Sequence, residues 1–277
     1  MDLYYVNNFG QTVDFMAWPY MVSESDLYDY TWQYESKNSV NPKVSRFYRE
    51  NVEKKLKISV SATSLSAYND ALMNLLEVTE KDVLNLTPGR LYVGGEYLPC
   101  YILGSAKSNW SPGVQFLVNT FTVLSEGGSW IRENLTVFRP GSGGEESSTT
   151  SLDYPYDYPH DYASGIERRN LVNSGYHDTD FEITIYGSCQ NPEINIGGHK
   201  YSVSCQLSTG EYLQINSMTK KIYKVEIDGG NVNQFHLRDR ENYIFQKIRA
   251  GANTVTWSGL FGFDVTLYEK RSEPRWT

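Results

Sequence analysis

The chain has 277 residues, a formal net charge of −8 and a pI of about 5.1, with 40% hydrophobic and 21% charged residues. At roughly 150 residues per domain, this length predicts about two domains, each able to bury a core. An acidic chain without a long basic run is a poor candidate for binding phosphate backbones, and no apolar run approaches the ~18 residues of a membrane helix. The composition therefore argues against a nucleic-acid-binding protein and against a membrane protein.

The N-terminus, MDLYYVNNFG, lacks the basic and apolar regions of a secretory signal, so we expect synthesis in a cytoplasm. The three cysteines, Cys100, Cys189 and Cys205, suit reduced thiols there, and a Cys189–Cys205 pair stays open. Their spacing, without a companion cluster of histidines, is not a metal signature.

The first segments read as strands. DLYYVN and TVDFMAW flank NFGQ, which is a hairpin signal. Leu56, Ile58 and Val60 alternate with polar residues in KKLKISVSAT, which predicts a strand with one apolar face. The content of 22 tyrosines against 11 phenylalanines also favours strands and half-wet surfaces.

One segment has helical spacing. Between Ser64 and Leu84, apolar residues recur at intervals of three, four and seven: Leu65, Tyr68, Leu72, Leu75, Leu76 and Leu84. Thr63 or Ser64 can cap the start, and Pro88 with Gly89 ends the pattern. TEKD, from Thr79 to Asp82, resembles a second capping box, so a break and restart of the helix there stays open.

Strands resume after the helix. GRLYVGGEYLPCYILGSAK predicts a hairpin around Gly94 and Gly95. VQFLVNTFTVLSE is a long alternating strand that places the following residues on one face: Val114, Phe116, Val118, Thr120 and Thr122. We expect residues 1–139 to form a β domain covered by a single helix.

Residues 140–162 form a linker followed by an unusual repeat. PGSGGEESSTTS cannot pack a core. In SLDYPYDYPHDY the odd positions are Asp or Pro, and the even positions carry the rings of a tyrosine-rich strap: Tyr154, Tyr156, Tyr158, His160 and Tyr162. In extended chain one side is aromatic and the other acidic, which fits an edge strand laid ring-side down on protein. A solvated acidic linker is the alternative, and converging calcium ligands are not expected from such a spread of aspartates.

Residues 163–277 are nearly all strand and turn. FEITIYG, PEINIGGHKYSV, EYLQINSMTKKIYKVEID, NTVTWSG and FDVTLYEKR alternate well and are separated by glycine-rich turns. Short strands at such intervals predict a β-sandwich.

No catalytic, cofactor or metal motif stands out, so we expect no enzyme and no cofactor. His177 with Asp178 and Asp180 fits a polar turn better than a metal or acid–base cluster. Trp257 and Trp130 either stack on a sugar or a partner, or pack in a core. The end of the chain carries Arg271, Arg275 and Trp276, residue types that anchor protein interfaces; a frayed terminus is the alternative.

The order of these pieces resembles a known family. ATSLSAYNDALMNLLEVTEKDVL, TPGRLYVGGEYLPCYI, FLVNTFTVLSE, LDYPYDYPHDY, IYGSCQNPEINIGGHKYSV, TGEYLQINSMTKKI and GFDVTLYEKRSEPRW follow one another along the chain. Together they resemble the distal tail protein family (Dit) of siphophage-type tails and of related prophage tail particles in Gram-positive bacteria. DYPYDYPHDY and GEYLQINSMTKK are the most specific parts.

The resemblance implies a mostly β protein of three parts. Residues 1–139 would be a tail-tube-like β-sandwich with one α-helix, which forms a hexameric ring. Residues 140–162 would be the linker and strap. Residues 163–277 would be a galectin-like β-sandwich, similar to a carbohydrate-binding module.

It also implies a virion structural protein of the distal tail or baseplate, assembled in the host cytoplasm and located at the tail tip. The implied partners are further copies of the chain, the tail tube protein, the tape measure protein, the tail-tip hub or tail-associated lysin, and a receptor-binding protein. DNA would be passing cargo only, and an acidic channel lining would keep it from sticking. The alternative function is a host cell-wall carbohydrate-binding module that acts through the C-terminal β-sandwich.

Overall fold

The computed structural model of the chain describes residues 2–37, 43–141 and 167–276. The chain divides into two compact units, one comprising Met1–Arg132 and Lys270–Thr277 and the other Glu133–Glu269. Both units consist mainly of antiparallel strands, as predicted, and the described residues contain one α-helix.

The first unit combines short and long strands with the helix α1 (Leu65–Leu84). Its strands are β1 (Leu3–Val6), β2 (Thr12–Asp14), β3 (Tyr20–Ser25), β4 (Gln33–Lys37), β5 (Lys43–Tyr48), β6 (Val52–Ser61), β7 (Gly89–Val93), β8 (Glu96–Ser108), β9 (Phe116–Ser125) and the start of β10 (Trp130–Phe138). One sheet has the order β3-β6-β9-β8, and the first half of β8 continues into β7, β1 and β2. The predicted hairpins β1–β2 and β7–β8 are both confirmed.

The core of the first unit lies between these sheets and α1. Leu56, Ile58 and Val60 of β6 are fully buried there, as their alternation predicts. Tyr68 and Leu75 of α1 pack into the same core. The fold of this half therefore follows from one apolar face per element, turned towards a common centre.

The structure settles one open point about the helix and corrects one prediction. First, the helix runs without a break through Thr79–Asp82, and the Thr79 hydroxyl donates back to the carbonyl of Leu75 at 2.8 Å, so it caps no new start. Its cap is Ser64, whose side chain accepts from the amide of Ala67. Second, the predicted apolar set does not form one face, since Leu65, Leu76 and Leu84 are all exposed. The predicted Tyr68 and Leu75 are buried, and they share the buried face with Ala71, Val78, Thr79 and Asp82.

The second unit is a sandwich of two main sheets. Its strands are β11 (Glu167–Asn173), β12 (Asp180–Tyr186), β13 (Cys189–Gln190), β14 (Glu193–Ile196), β15 (His199–Ser202), β16 (Gln206–Leu207), β17 (Tyr212–Asn216), β18 (Lys221–Val225), β19 (Asn231–Asn233), β20 (Gly251–Trp257) and most of β21 (Phe263–Arg271), with a 3-10 turn at Phe235–Leu237. One sheet has the order β19-β18-β17-β12-β21 and the other β11-β20-β14-β15.

The two sheets enclose a single hydrophobic core. Phe181, Ile183 and Phe263 from one sheet meet Ile194 and Val255 from the other, and all five are fully buried. The strands predicted for this half are confirmed in β12, β14, β15, β17, β18, β20 and β21. The turn between β14 and β15 needs Gly197 and Gly198, because both have positive φ.

Candidate assembly and ligand surfaces

The tyrosine-rich strap lies outside the described residues. The whole set from Tyr154 to Tyr162 falls in the gap between residues 141 and 167. The strap therefore stays a prediction.

Trp257 lies at the end of β20, inside the core of the second unit. It is only 3% exposed, and its ring meets Phe138 and Phe263 edge to face at centroid distances of 5.8 and 5.2 Å. The indole N–H donates to the carbonyl of Phe261 at 3.0 Å. Of the two interpretations that the sequence left open, this geometry supports the core role, and a sugar or partner contact stays a prediction.

Trp130 is fully buried in the first unit, where its ring meets the edge of Tyr28 at 6.3 Å. The face of its indole is therefore enclosed by protein. It serves the core of the first unit.

The last residues of the chain belong to the first unit and contact other residues of it. Arg275 lies 3.6 Å from the carboxylate of Glu96, which is almost completely buried. The ring of Trp276 meets Tyr28 edge to face at 4.8 Å, yet 75% of the Trp276 side chain stays exposed. Arg271, at the end of β21, is half-buried. The tail thus holds an exposed indole in a fixed place, and its role as an interface stays a prediction.

A polar and aromatic surface covers the outward side of the sheet β19-β18-β17-β12-β21. Strand alternation and register place tyrosines beside amide and carboxylate side chains. This surface, called the tyrosine face below, comprises Glu182, Thr184, Tyr186, Tyr212, Gln214, Asn216, Tyr223 and Asp264.

Hydrogen bonds fix the side chains of the tyrosine face. Glu182 accepts from Gln214 Nε2 at 2.7 Å and from Asn216 Nδ2 at 2.6 Å. The Tyr186 hydroxyl donates to Asp264 at 2.7 Å, and this bond, together with burial, raises the pKa of Tyr186 to about 12. The Tyr186 hydroxyl therefore stays protonated at neutral pH and can hold its partner. Such a preorganised set of rings and hydrogen-bonding groups can bind a polar, uncharged ligand.

The outward side of the sheet β3-β6-β9-β8 is different, with hydroxyl, apolar and charged side chains mixed. Ser59 and Ser61 of β6 lie opposite Val118 and Phe116 of β9, whereas Thr120 and Thr122 lie opposite Lys57 and Lys55. The charged residues of this side are Lys55, Lys57, Glu24 and Glu53, and Lys57 pairs with Glu24 at 3.2 Å. Met21 of β3 and Phe116 of β9 are also exposed on this side, so the face is mixed and not uniformly polar.

The residues that the sequence analysis weighed as a metal or acid–base cluster form hydrogen bonds and ion pairs within the fold. The carboxylate of Asp180 is used by Lys247 at 3.2 Å and Ser217 at 3.4 Å. The carbonyl of His177 accepts from Thr179 Oγ1, as in a polar turn. Within residues 2–37, 43–141 and 167–276, no three His, Cys, Asp or Glu side chains come together as metal ligands. In the same ranges no helix combines the length and hydropathy needed to cross a membrane.

All three cysteines are free thiols, including Cys189 and Cys205. Burial raises the pKa of Cys100, and it raises the pKa of Cys205 to about 11 with a smaller effect from nearby Cys189. These thiols are therefore protonated and unreactive at neutral pH.

Solved structures with the same fold come from phage tails. A chain of the phage P2 baseplate in its activated conformation with Ca matches 99% of this chain and 99% of its own, with a TM-score of 0.66 and 12% identity. The same baseplate with Sr matches 99% of this chain and 100% of its own, also with a TM-score of 0.66 and 12% identity. The Dit protein of phage SPP1, described as a paradigm of the hub adsorption apparatus in phages that infect Gram-positive bacteria, matches 98% of both chains, with a TM-score of 0.59 and 11% identity.

The chain has the fold of phage baseplate and distal tail hub proteins. This hub fold extends over both units, because the matches cover nearly the whole chain. No protein-family profile matches the sequence, and no curated protein matches it significantly. At 11–12% identity the hub fold does not carry over roles of single side chains, so these follow from the surfaces of this chain.

Proposed function

We propose that the chain is a virion structural protein that forms a hexameric ring at the distal end of a phage-type tail. The observation that supports this is the full-length match of the hub fold to baseplate proteins. In this role the ring joins the tail tube to the tail-tip hub or tail-associated lysin, and it carries receptor-binding proteins. The tape measure protein and DNA would pass through it, and the chain itself would catalyse no reaction.

Two open strand edges in the first unit favour a ring. Among the described residues, β3 pairs only with β6, and residues 103–108 of β8 pair only with β9. Open edges tend to pair with another chain. Because β3-β6-β9-β8 alternates in direction, β3 of one copy can add antiparallel to β8 of the next. This contact joins two different patches, which is the head-to-tail geometry that generates rings.

A ring closed in this way turns one side of the β3-β6-β9-β8 sheet towards its lumen. The inner side of the sheet is already buried by the core. The side that is left carries hydroxyl and apolar residues together: Ser59, Ser61, Thr120, Thr122, Met21, Phe116 and Val118. Its charged residues are mixed, with Lys55 and Lys57 beside Glu24. We therefore propose a lumen wall of mixed polar, apolar and charged side chains, and not the acidic lining expected from the sequence.

The ring is tested by the mass of the purified full-length protein. Light scattering after size-exclusion chromatography should give six times the 31.7 kDa mass of one chain at micromolar concentration. A mass of one chain at every concentration up to the solubility limit would contradict the proposal.

The second candidate function is carbohydrate binding by the second unit, and the tyrosine face favours it. Tyr186 and Tyr212 lie with ring centroids 6.5 Å apart, next to the fixed carboxylate of Glu182 and the amide of Gln214. Rings that cover the apolar side of a sugar, together with amide and carboxylate partners for its hydroxyls, are the groups that such a ligand requires.

A glycan array of bacterial cell-wall saccharides tests this candidate with the full-length protein. We expect Tyr212→Ala to weaken binding at least 10-fold, because the face loses one stacking ring. Tyr243→Ala removes an exposed tyrosine outside the tyrosine face and should leave binding unchanged. No saccharide bound by the unmodified protein, or equal loss in both variants, would eliminate the candidate.

A further inference from the structure

A cleft of about 620 Å³, called the amide cleft below, opens on the second unit beside the sheet β11-β20-β14-β15. One part of its lining is the outward side of that sheet, where Asn195 of β14 lies directly opposite Thr256 of β20. Glu193 and Ser258 continue the same side, because alternate residues of a strand share one face. The rest of the lining comes from residues 188–191 and from the turn after β20. The volume is within the usual range for ligand pockets.

The polar side chains of the amide cleft have free hydrogen-bonding capacity. Four of them form no hydrogen bond or ion pair with any residue that the structure describes: Gln190, Asn191, Asn195 and Thr256. The tyrosine face differs in this respect, because the carboxylate of Glu182 is already used by Gln214 and Asn216. Amide and hydroxyl groups that line one cleft without partners in the fold are available to a bound molecule.

An apolar strip of three residues completes the amide cleft. Leu260, which is 82% exposed, lines the cleft together with the core residues Phe261 and Trp257. The Trp257 indole is held in place, since its N–H donates to the carbonyl of Phe261 at 3.0 Å. The cleft therefore combines apolar surface with amides and hydroxyls. A sugar ring presents the matching surfaces, namely C–H groups and hydroxyls that both donate and accept.

The charges at the amide cleft favour a neutral ligand over an anionic one. Glu193 is the one charged residue among the described residues of the lining, and its carboxylate lies 3.9 Å from the ammonium group of Lys200. Lys200 is also paired with Asp239 at 3.1 Å. Arg168 of β11 lies opposite Thr256 in the sheet but does not line the cleft. A phosphate or carboxylate group in the cleft would therefore be placed near the like charge of Glu193.

We propose that the amide cleft binds one or two sugar residues of a neutral saccharide. Asn195 and Thr256 hydrogen-bond to its hydroxyls, and Leu260 covers its C–H groups. The proposal rests on the second candidate function above, carbohydrate binding, and names a site for it on the other sheet from the tyrosine face. The two sites use different strands, so either can bind a saccharide without the other.

The glycan array of bacterial cell-wall saccharides tests the amide cleft with the full-length protein. Asn195→Leu with Thr256→Val removes the hydrogen-bonding groups at nearly constant side-chain size. We expect it to weaken binding of a neutral saccharide at least 10-fold, because two hydrogen bonds are lost. Asn170→Leu with Thr254→Val is the matched control, since it changes the same residue types at an opposed pair of the same sheet, outside the cleft. The control pair and Tyr212→Ala should both keep this saccharide.

The outcomes separate the amide cleft from the tyrosine face. Loss of binding in the cleft variant, with the control pair and Tyr212→Ala unchanged, supports the proposal. Unchanged binding in the cleft variant, equal loss in its control, or binding of anionic glycans alone overturns it. If only Tyr212→Ala loses binding, the tyrosine face stands and the cleft is wrong. If the unmodified protein binds no saccharide, the cleft and the carbohydrate candidate fall together.

Discussion

Replacing Gly89 by alanine should lower the free energy of unfolding of the first unit by about 3 kcal/mol, because the site has no room for a methyl group. A methyl group built on Gly89 overlaps the carboxylate of Asp82 and the hydroxyl of Tyr5, and it lies 2.5 Å from Tyr5 Cζ. Asp82 is fully buried at the end of α1, where it accepts from the Tyr5 hydroxyl and from the amide of Asn8 at 2.8 Å. The added methyl group must therefore displace a buried carboxylate from its donors, which is costly.

Urea unfolding followed by circular dichroism measures this loss. Gly104→Ala is the matched control, because its methyl group would lie 3.3 Å from Thr122 Oγ1 and needs only a small adjustment. We expect the control to change the free energy of unfolding by less than about 1 kcal/mol. Equal urea midpoints for the two variants would show that the Tyr5–Asp82 contact does not hold α1 on its strands.

Replacing Trp257 by alanine should lower the free energy of unfolding of the second unit by about 4 kcal/mol. The substitution leaves a cavity between Phe138 and Phe263 and removes the donor that the carbonyl of Phe261 uses. Trp276→Ala removes a tryptophan that is 75% exposed and should cost about 1 kcal/mol or less.

Thermal and urea unfolding by circular dichroism compares the two tryptophan variants. A Trp257→Ala protein as stable as the Trp276→Ala protein would mean that Trp257 is not part of the core. The expected result has a practical consequence for the carbohydrate candidate. Loss of glycan binding in Trp257→Ala would report a damaged sandwich, so the tyrosine face must be tested through Tyr212.

The sequence predicts those elements of the fold that have one apolar face and clear turns. β6 and β17 alternate throughout, and β12 and β21 alternate over residues 181–185 and 263–267, so these buried residues follow from a period of two. The paired glycines at Gly94–Gly95 and Gly197–Gly198 identify two hairpins in the same way. Such patterns are sufficient because burial is what fixes both the strand and its register.

Other elements escape prediction for identifiable reasons. The hairpin β4–β5 buries neither face, so its residues carry no alternation that distinguishes it from a loop. The helix α1 carries apolar residues on its buried side and on its exposed side. Only the structure shows that Leu76 and Leu84 face outward while Asp82 is buried. The buried aspartate is matched by Tyr5, a partner 77 residues away that no local pattern indicates.

The sequence predicts surfaces less well than strands, because an aromatic side chain suits a buried core and an exposed interface equally. Trp257 and Trp130 belong to the core, whereas Trp276 and the rings of the hairpin are exposed. The tyrosine face arises only when strands β17 and β12 are paired in register, which brings Tyr212 beside Tyr186. Side chains that come together across strands in this way can be inferred only once the pairing is known.

Cryo-electron microscopy of the purified full-length protein tests the central claim most directly, namely that the chain is a ring-forming hub. The account predicts a sixfold ring in which β3 of each copy pairs antiparallel with β8 of the next, with Thr120 and Thr122 facing the lumen. Single unassociated copies, or a closed dimer that leaves both strand edges open, would contradict it.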